Sequence, residues 1–170
     1  MALQILLKRG VDANRPALSD GEFYVATDTK RIFHGSVPNR IPVQTAVVDL
    51  TAQTAAKSTT ALLTPSVTGL YRISAYLKVT TPATTSSTLG ALTITYTDGT
   101  DSVAQTHVVS LTTQAGAAAT TIATNTTAAK LSGSLIIWAK TGVAIQYAIA
   151  YVSSGATPMA YEAHLAIEAL

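Results

Sequence analysis

The sequence predicts an all-β protein, with a small β-module over residues 1–50 and a β-sandwich over residues 51–170. Three observations carry this. First, Gly69–Thr81 alternates Tyr71, Ile73, Ala75, Leu77 and Val79 with Arg72, Ser74, Lys78 and Thr80. Side chains along a strand point to opposite faces in turn, so a period of two marks a strand with one buried face. Second, later stretches repeat that alternation between turn signals, with almost no helical periodicity, which is the pattern of a sandwich. Third, composition shifts near residue 50. Residues 1–50 hold eleven of the twenty Asp, Glu, Lys and Arg residues; residues 51–170 hold nine, with 25 Thr and 24 Ala. A surface so poor in charge does little to hold copies of the chain apart, so a homo-oligomer is expected.

A chain of 170 residues can bury a core without covalent staples. It has no cysteine, so disulfides and thiolate metal sites are excluded. Met1–Arg9 places its charges after a short apolar run, the reverse of a secretion signal, and no apolar run approaches membrane-spanning length. Neither secretion nor a membrane partner is expected. Formal charge is +2, and the basic doublets Lys8-Arg9 and Lys30-Arg31 stand among acids. Nucleic-acid binding needs a clustered basic face with stacking aromatics, and no such partner is expected.

Taken in order, Leu3, Ile5 and Leu7 alternate with Gln4, Leu6 and Lys8, a short strand over residues 3–8. Gly10–Ser19 reads as loop, and Ser19-Asp20-Gly21 is a turn, because Asp bonds its own backbone and Gly accepts positive φ. Glu22–Thr27 and Lys30–Gly35 flank Asp28-Thr29 as a hairpin. Pro42–Leu50 is extended. Thr51–Leu63 is a weakly specified strand, since Thr favours strands and Ala does not. Gly69–Thr81 follows, then a polar loop over Thr80–Ser87. Gly90–Thr97 is a strand with Leu92, Ile94 and Tyr96 on one face. Asp98-Gly99 turns the chain into a strand over Ser102–Thr112. Thr113–Lys130 holds one bulky apolar residue, Ile122, and is either an edge strand or a contact-forming loop. Ser134–Lys140 is apolar on both parities, as a strand buried on both faces would be. Val143–Val152 puts Ile145, Tyr147 and Ile149 opposite small residues, and Met159–Leu170 alternates apolar residues with Glu162, His164 and Glu168.

Leu7-Lys8-Arg9-Gly10, Pro16–Glu22 and Thr27–Ile32 closing on Gly35 together resemble the small N-terminal module of bacteriophage tropism-determinant and tail-fibre proteins. That resemblance implies a compact β-module for trimeric assembly on the virion, with Lys8, Arg9, Phe23, Tyr24, Lys30 and Arg31 as candidate attachment residues. Gly69-Leu70-Tyr71, Ser134–Trp138, Gly142–Tyr147 and Tyr161–Leu170 resemble the trimeric jelly roll of tumour-necrosis-factor and complement globular heads. It implies a jelly-roll sandwich and a homotrimer, for which Ile136, Trp138, Tyr147, Tyr151 and Tyr161 are candidate interface residues.

Little points to catalysis. Glu162 and His164 share one strand face about 7 Å apart, but a zinc or copper site needs two further ligands for which no pattern exists. Asp98 and Asp101 are too few for calcium and read as turn residues. Ser132-Gly133-Ser134 lacks the nucleophile-elbow spacing, and no glycine-rich phosphate loop occurs. No enzyme activity, metal or cofactor is expected. The aromatics Tyr71, Tyr76, Tyr96, Trp138, Tyr147, Tyr151 and Tyr161 are expected in core and interface, with Trp138→Ala or Tyr147→Ala costing about 3 kcal/mol or more. Without a shaft of repeats or heptads, the expected role is a phage capsid decoration or cement protein. It would trimerise and bind the major capsid protein or another virion protein, on particles assembled in the host cytoplasm. The alternative is a tail-fibre or baseplate tip that binds a receptor or host glycan through tyrosines and the loops at Thr80–Gly90 and Thr113–Lys130.

Overall fold

The computed structural model describes residues 7–11, 23–27, 31–34, 43–113, 118–119, 122–123 and 129–170. The described residues contain fourteen strands and no helix. Three short strands, β1 (Leu7–Gly10), β2 (Phe23–Ala26) and β3 (Arg31–His34), form one sheet, with β1 and β2 parallel and β2 and β3 antiparallel. The expected hairpin is the β2–β3 pair. Tyr24 is buried, and its hydroxyl donates to the Val11 carbonyl at 2.7 Å, while the Thr27 N–H donates to the Gly10 carbonyl at 2.8 Å. The strand expected from Leu3 is described from Leu7 onward, and the Ser19-Asp20-Gly21 turn lies outside the described residues.

The remaining strands make a jelly-roll sandwich. They are β4 (Val43–Gln53), β5 (Lys57–Leu63), β6 (Gly69–Thr81), β7 (Ser86–Thr97), β8 (Ala104–Val108), β9 (Leu111–Thr113), β10 (Ala118–Ala119), β11 (Ile122–Ala123), β12 (Lys130–Ala139), β13 (Ile145–Ser154) and β14 (Ala160–Ala169). One sheet has the order β10-β9-β12-β6-β14-β4; the other has β11-β7-β13-β5, with β8 paired to β7. The chain passes from one sheet to the other at nearly every connection, so sequential strands face each other across the core. Strand β4 spans residue 50, so the sandwich takes in the last residues of the segment read as N-terminal module.

Strand β6 shows why the alternation forms this core. Tyr71, Ile73, Ala75, Leu77 and Val79 are buried, and the residues between them are partly exposed. Tyr161, Ala163, Leu165 and Ile167 of β14 join them from the neighbouring strand. Leu89, Leu92, Ile94, Ile145, Tyr147 and Ile149 close the core from the opposite sheet. The Val, Leu and Ile side chains among these each contribute roughly 1.5–3 kcal/mol when fully buried.

Three expectations are corrected. The strand expected over Ser102–Thr112 is two strands, because the chain changes sheets at Val109. Its N–H still bonds Leu92 in one sheet, while Leu111 onward pairs with β12 in the other. The loop expected over Thr80–Ser87 already belongs to β7 from Ser86, since Ser86 and Ser87 pair with Ser154 and Ser153. Strand β12 is not buried on both faces: Ile137 and Ala139 point into the core, but Ile136 is 58 % exposed and Trp138 38 % exposed. Both sheets are accounted for on the inner side, and no third layer of this chain covers the outer side of β12 among the described residues. Within Thr113–Lys130, Thr113 ends β9, β10 and β11 are edge strands of the two sheets, Lys130 opens β12, and residues 114–117, 120–121 and 124–128 lie outside the described residues.

Candidate functional site

The outer face of the six-stranded sheet carries most of the sandwich's side-chain chemistry, and strand register sets it out in rows. At one end Trp138 of β12 stands opposite Leu70 of β6. The next row runs Ile136, Arg72, Glu168, with the Arg72 guanidinium gripping the Glu168 carboxylate, Nε to Oε2 at 2.8 Å. Ser134, Ser74 and Ala166 follow, a run of small side chains that ends at the exposed Val47. Then come Thr112, Ser132, Tyr76, His164 and Asp49, crossing five strands. The last row is Lys130, Lys78, Glu162.

Two chemistries share this face. At the first end, Leu70, Ile136 and Trp138 make an exposed apolar corner. The Trp138 indole lies over Gly99 in the β7–β8 turn, where a Cβ would come within 2.6 Å of Nε1, and Gly99 N–H donates to the Trp138 carbonyl at 3.1 Å. The turn thus supports one side of the ring, and the residue keeps 38 % of its surface exposed. Toward the other end the face is polar. His164 Nδ1 is 2.7 Å from Asp49 Oδ1, the Tyr76 and His164 rings lie 6.0 Å apart, and Lys78 meets Glu162 at 3.2 Å. Such exposed pairs fix side-chain geometry but add little stability.

The outer face of the other sheet differs. Thr88, Thr93 and Thr95 of β7, Thr106 and Val108 of β8, and Gln146, Ala148, Ala150 and Val152 of β13 are all uncharged, and Val108 and Val152 are exposed. The sandwich's few charges are therefore concentrated on one side.

The predicted interface residues do not gather on one surface. Ile136 and Trp138 are outward and neighbouring. Tyr147 is 2 % exposed and Tyr161 is 0 % exposed, both within the chain's own core, so neither has surface to offer a partner. Burial, then the neighbouring Tyr147 and Tyr151, pushes the Tyr161 pKa up to about 12, and its hydroxyl donates to the Ala55 carbonyl at 3.0 Å. Tyr151 is half-buried, its hydroxyl donating to the Met159 carbonyl at 2.7 Å. Of the predicted attachment residues, Arg9 is exposed and Tyr24 is buried. Lys8, Phe23 and Arg31 lie on strands whose side chains are not described, and Lys30 lies outside the described residues.

His164 and Glu162 share the outer face as their spacing requires, yet each is engaged by a different partner, Asp49 and Lys78. No group of three or more His, Cys, Asp or Glu positioned for a metal occurs among the described residues. Asp98 and Asp101 cap their own turn: Asp98 Oδ1 accepts the Thr100 N–H at 2.7 Å and Asp101 Oδ1 accepts the Val103 N–H at 2.9 Å. His107 stacks on Tyr96 at 5.8 Å. Sequence reasoning missed Leu70, Lys130 and the Ser132 row, because only cross-strand register makes them neighbours. Comparisons with protein-family models, with curated proteins and with solved structures find no match.

Proposed function

We propose that this chain is a structural protein of a phage particle, a homotrimer that decorates or cements the head by binding the major capsid protein or another virion protein. The observation that carries the reading is the exposed corner of Leu70, Ile136 and Trp138 on a sheet whose inner face already supplies the core. Apolar surface that its own chain does not cover marks an interaction surface when it is contiguous. With only nine of the residues beyond 50 charged, repulsion between copies is weak. Double-sheet jelly rolls recur in viral capsid and lectin domains, an analogy of fold rather than of site. The N-terminal pattern through Lys8-Arg9-Gly10 and Asp20-Gly21-Glu22 adds the phage context by resemblance.

The mechanism is mechanical. Outward apolar strand residues are covered by copies of the same chain, and the assembled unit holds neighbouring particle subunits together. Sedimentation velocity at micromolar concentration tests it. The expected species is three times 17.6 kDa, falling to the single-chain mass when Ile136 and Trp138 are both changed to Asp. A monomeric wild-type chain overturns the proposal. Gold-labelled antibody on intact particles, head against tail, then separates decoration from a tail-tip role.

A further inference from the structure

At the polar end of the six-stranded sheet's outer face, Ser132 is a short side chain between Thr112 and Tyr76 in one cross-strand row. Its shortness leaves a hollow of about 240 Å³ lined by Tyr76, Thr112, Lys130, Leu131 and Ser132. Gly133 makes this geometry possible, because a Cβ there would sit 2.5 Å from the Ser110 carbonyl oxygen. Without one, the backbone entering β9 closes on β12 and brings Thr112 beside Ser132.

Charge at the rim is unbalanced. Lys130 stands directly opposite Lys78, an arrangement that destabilises a sheet unless something neutralises it. Glu162 answers Lys78 at 3.2 Å, and Lys130 has no carboxylate partner among the described residues. Asp49, the nearest other acid of the row above, is three strands away, about 14 Å at sheet spacing, and is engaged by His164.

We propose that this hollow binds one acidic sugar residue, a pyranose carrying a carboxylate or a phosphate. Binding sites combine an apolar wall with a few placed polar groups, and sites for drug-sized ligands run to roughly 300–1,000 Å³, so this one suits a single ring. The Tyr76 ring supplies the apolar wall for the C–H face of the pyranose. The Ser132 and Thr112 hydroxyls each donate one hydrogen bond and accept others, matching sugar hydroxyls. The Lys130 ammonium meets the anionic group, where a charge-assisted bond is stronger than a neutral one. His164, bonded to Asp49, lies against Tyr76 with its ring tilted at 38° and centred 6.0 Å away, and buttresses it from the neighbouring strand. A nucleic-acid strand would need a row of cations and stacking rings, and Lys130 and Tyr76 are the one cation and the one tyrosine lining this hollow among the described residues.

The test uses the full chain and ligand-detected saturation-transfer NMR with sodium D-glucuronate, glucose 1-phosphate and methyl glucoside as probes. At least one acidic sugar is expected to bind more tightly than methyl glucoside, and which one does identifies the anion. Lys130→Gln weakens the acidic sugars about tenfold and leaves methyl glucoside unchanged; Tyr76→Ala weakens all three. Val152→Ser, on the opposite sheet, changes nothing. Absence of signal from both acidic sugars, or binding indifferent to both variants, overturns the proposal. Sedimentation of the same samples keeps this outcome separate from the assembly reading, since sugar binding by a monomer would sink only the latter.

Discussion

Tyr147 and Trp138 are both aromatic strand residues, yet their surroundings assign them different work. Tyr147 is enclosed by the core from both sheets, so Tyr147→Ala leaves a cavity and is expected to cost about 3–5 kcal/mol in urea unfolding. Trp138 rests on the Gly99 turn and keeps 38 % of its surface exposed, so Trp138→Ala is expected to cost roughly 1–2 kcal/mol within a single chain. Equal costs would show that the ring is covered. Tyr161 adds a pH dependence. Its folded pKa of about 12 stands above the ordinary value of 10.0, so between those values the unfolded chain releases a proton that the folded one keeps. Stability is therefore full below pH 10 and falls as pH rises toward 12. Tyr161→Phe is expected to flatten that fall, as measured by denaturant midpoints across the range.

At the scale of the strand, β6 organises the sandwich. It lies between β12 and β14 along its length, and its alternation matched its burial residue by residue because a central strand faces one core and one outside. Strand β12 shows where that logic stops. Its sequence is apolar on both parities, which fits burial by a third layer of this chain equally well as burial by another chain; local pattern does not distinguish the two. The β8–β9 break was illegible for a related reason. A change of sheet costs no particular residue type, only the loss of one partner strand and the gain of another at Val109. Gly133 governs the latter contact. Gly133→Ala forces the backbone at Ser110 away from β12, with an expected destabilisation of about 1–3 kcal/mol. Faster hydrogen exchange at Leu111–Thr113 than at β14 would locate the damage.

For the whole molecule, charge placement matters more than charge number. Arg72, Lys78, Lys130, Glu162 and Glu168 all sit on the outer face of the six-stranded sheet, and the facing sheet's outer side is lined with Thr, Ala and Val. One side of the sandwich thus offers polar recognition beside an apolar corner, and the other offers a bland surface. If copies assemble through the apolar corner, the wild-type melting temperature rises with protein concentration, because association stabilises the folded state by mass action. The Ile136→Asp, Trp138→Asp double variant is expected to lose that dependence while still unfolding cooperatively, since both side chains lie outside the core. Differential scanning calorimetry over a range of concentrations measures both.

Alternation of apolar and polar residues was enough to determine the strand class, most strand positions and which face of each strand turns inward, because those depend on a local period of two and on burial. Pairing across strands decided the rest. It made neighbours of Lys130, Lys78 and Glu162, and of Thr112, Ser132 and Tyr76, from segments tens of residues apart. It also sent Tyr147 and Tyr161 into the core while leaving Ile136 and Trp138 outside. Register between distant strands arises from the sum of many side-chain contacts across two sheets, and no single stretch of sequence contains that sum.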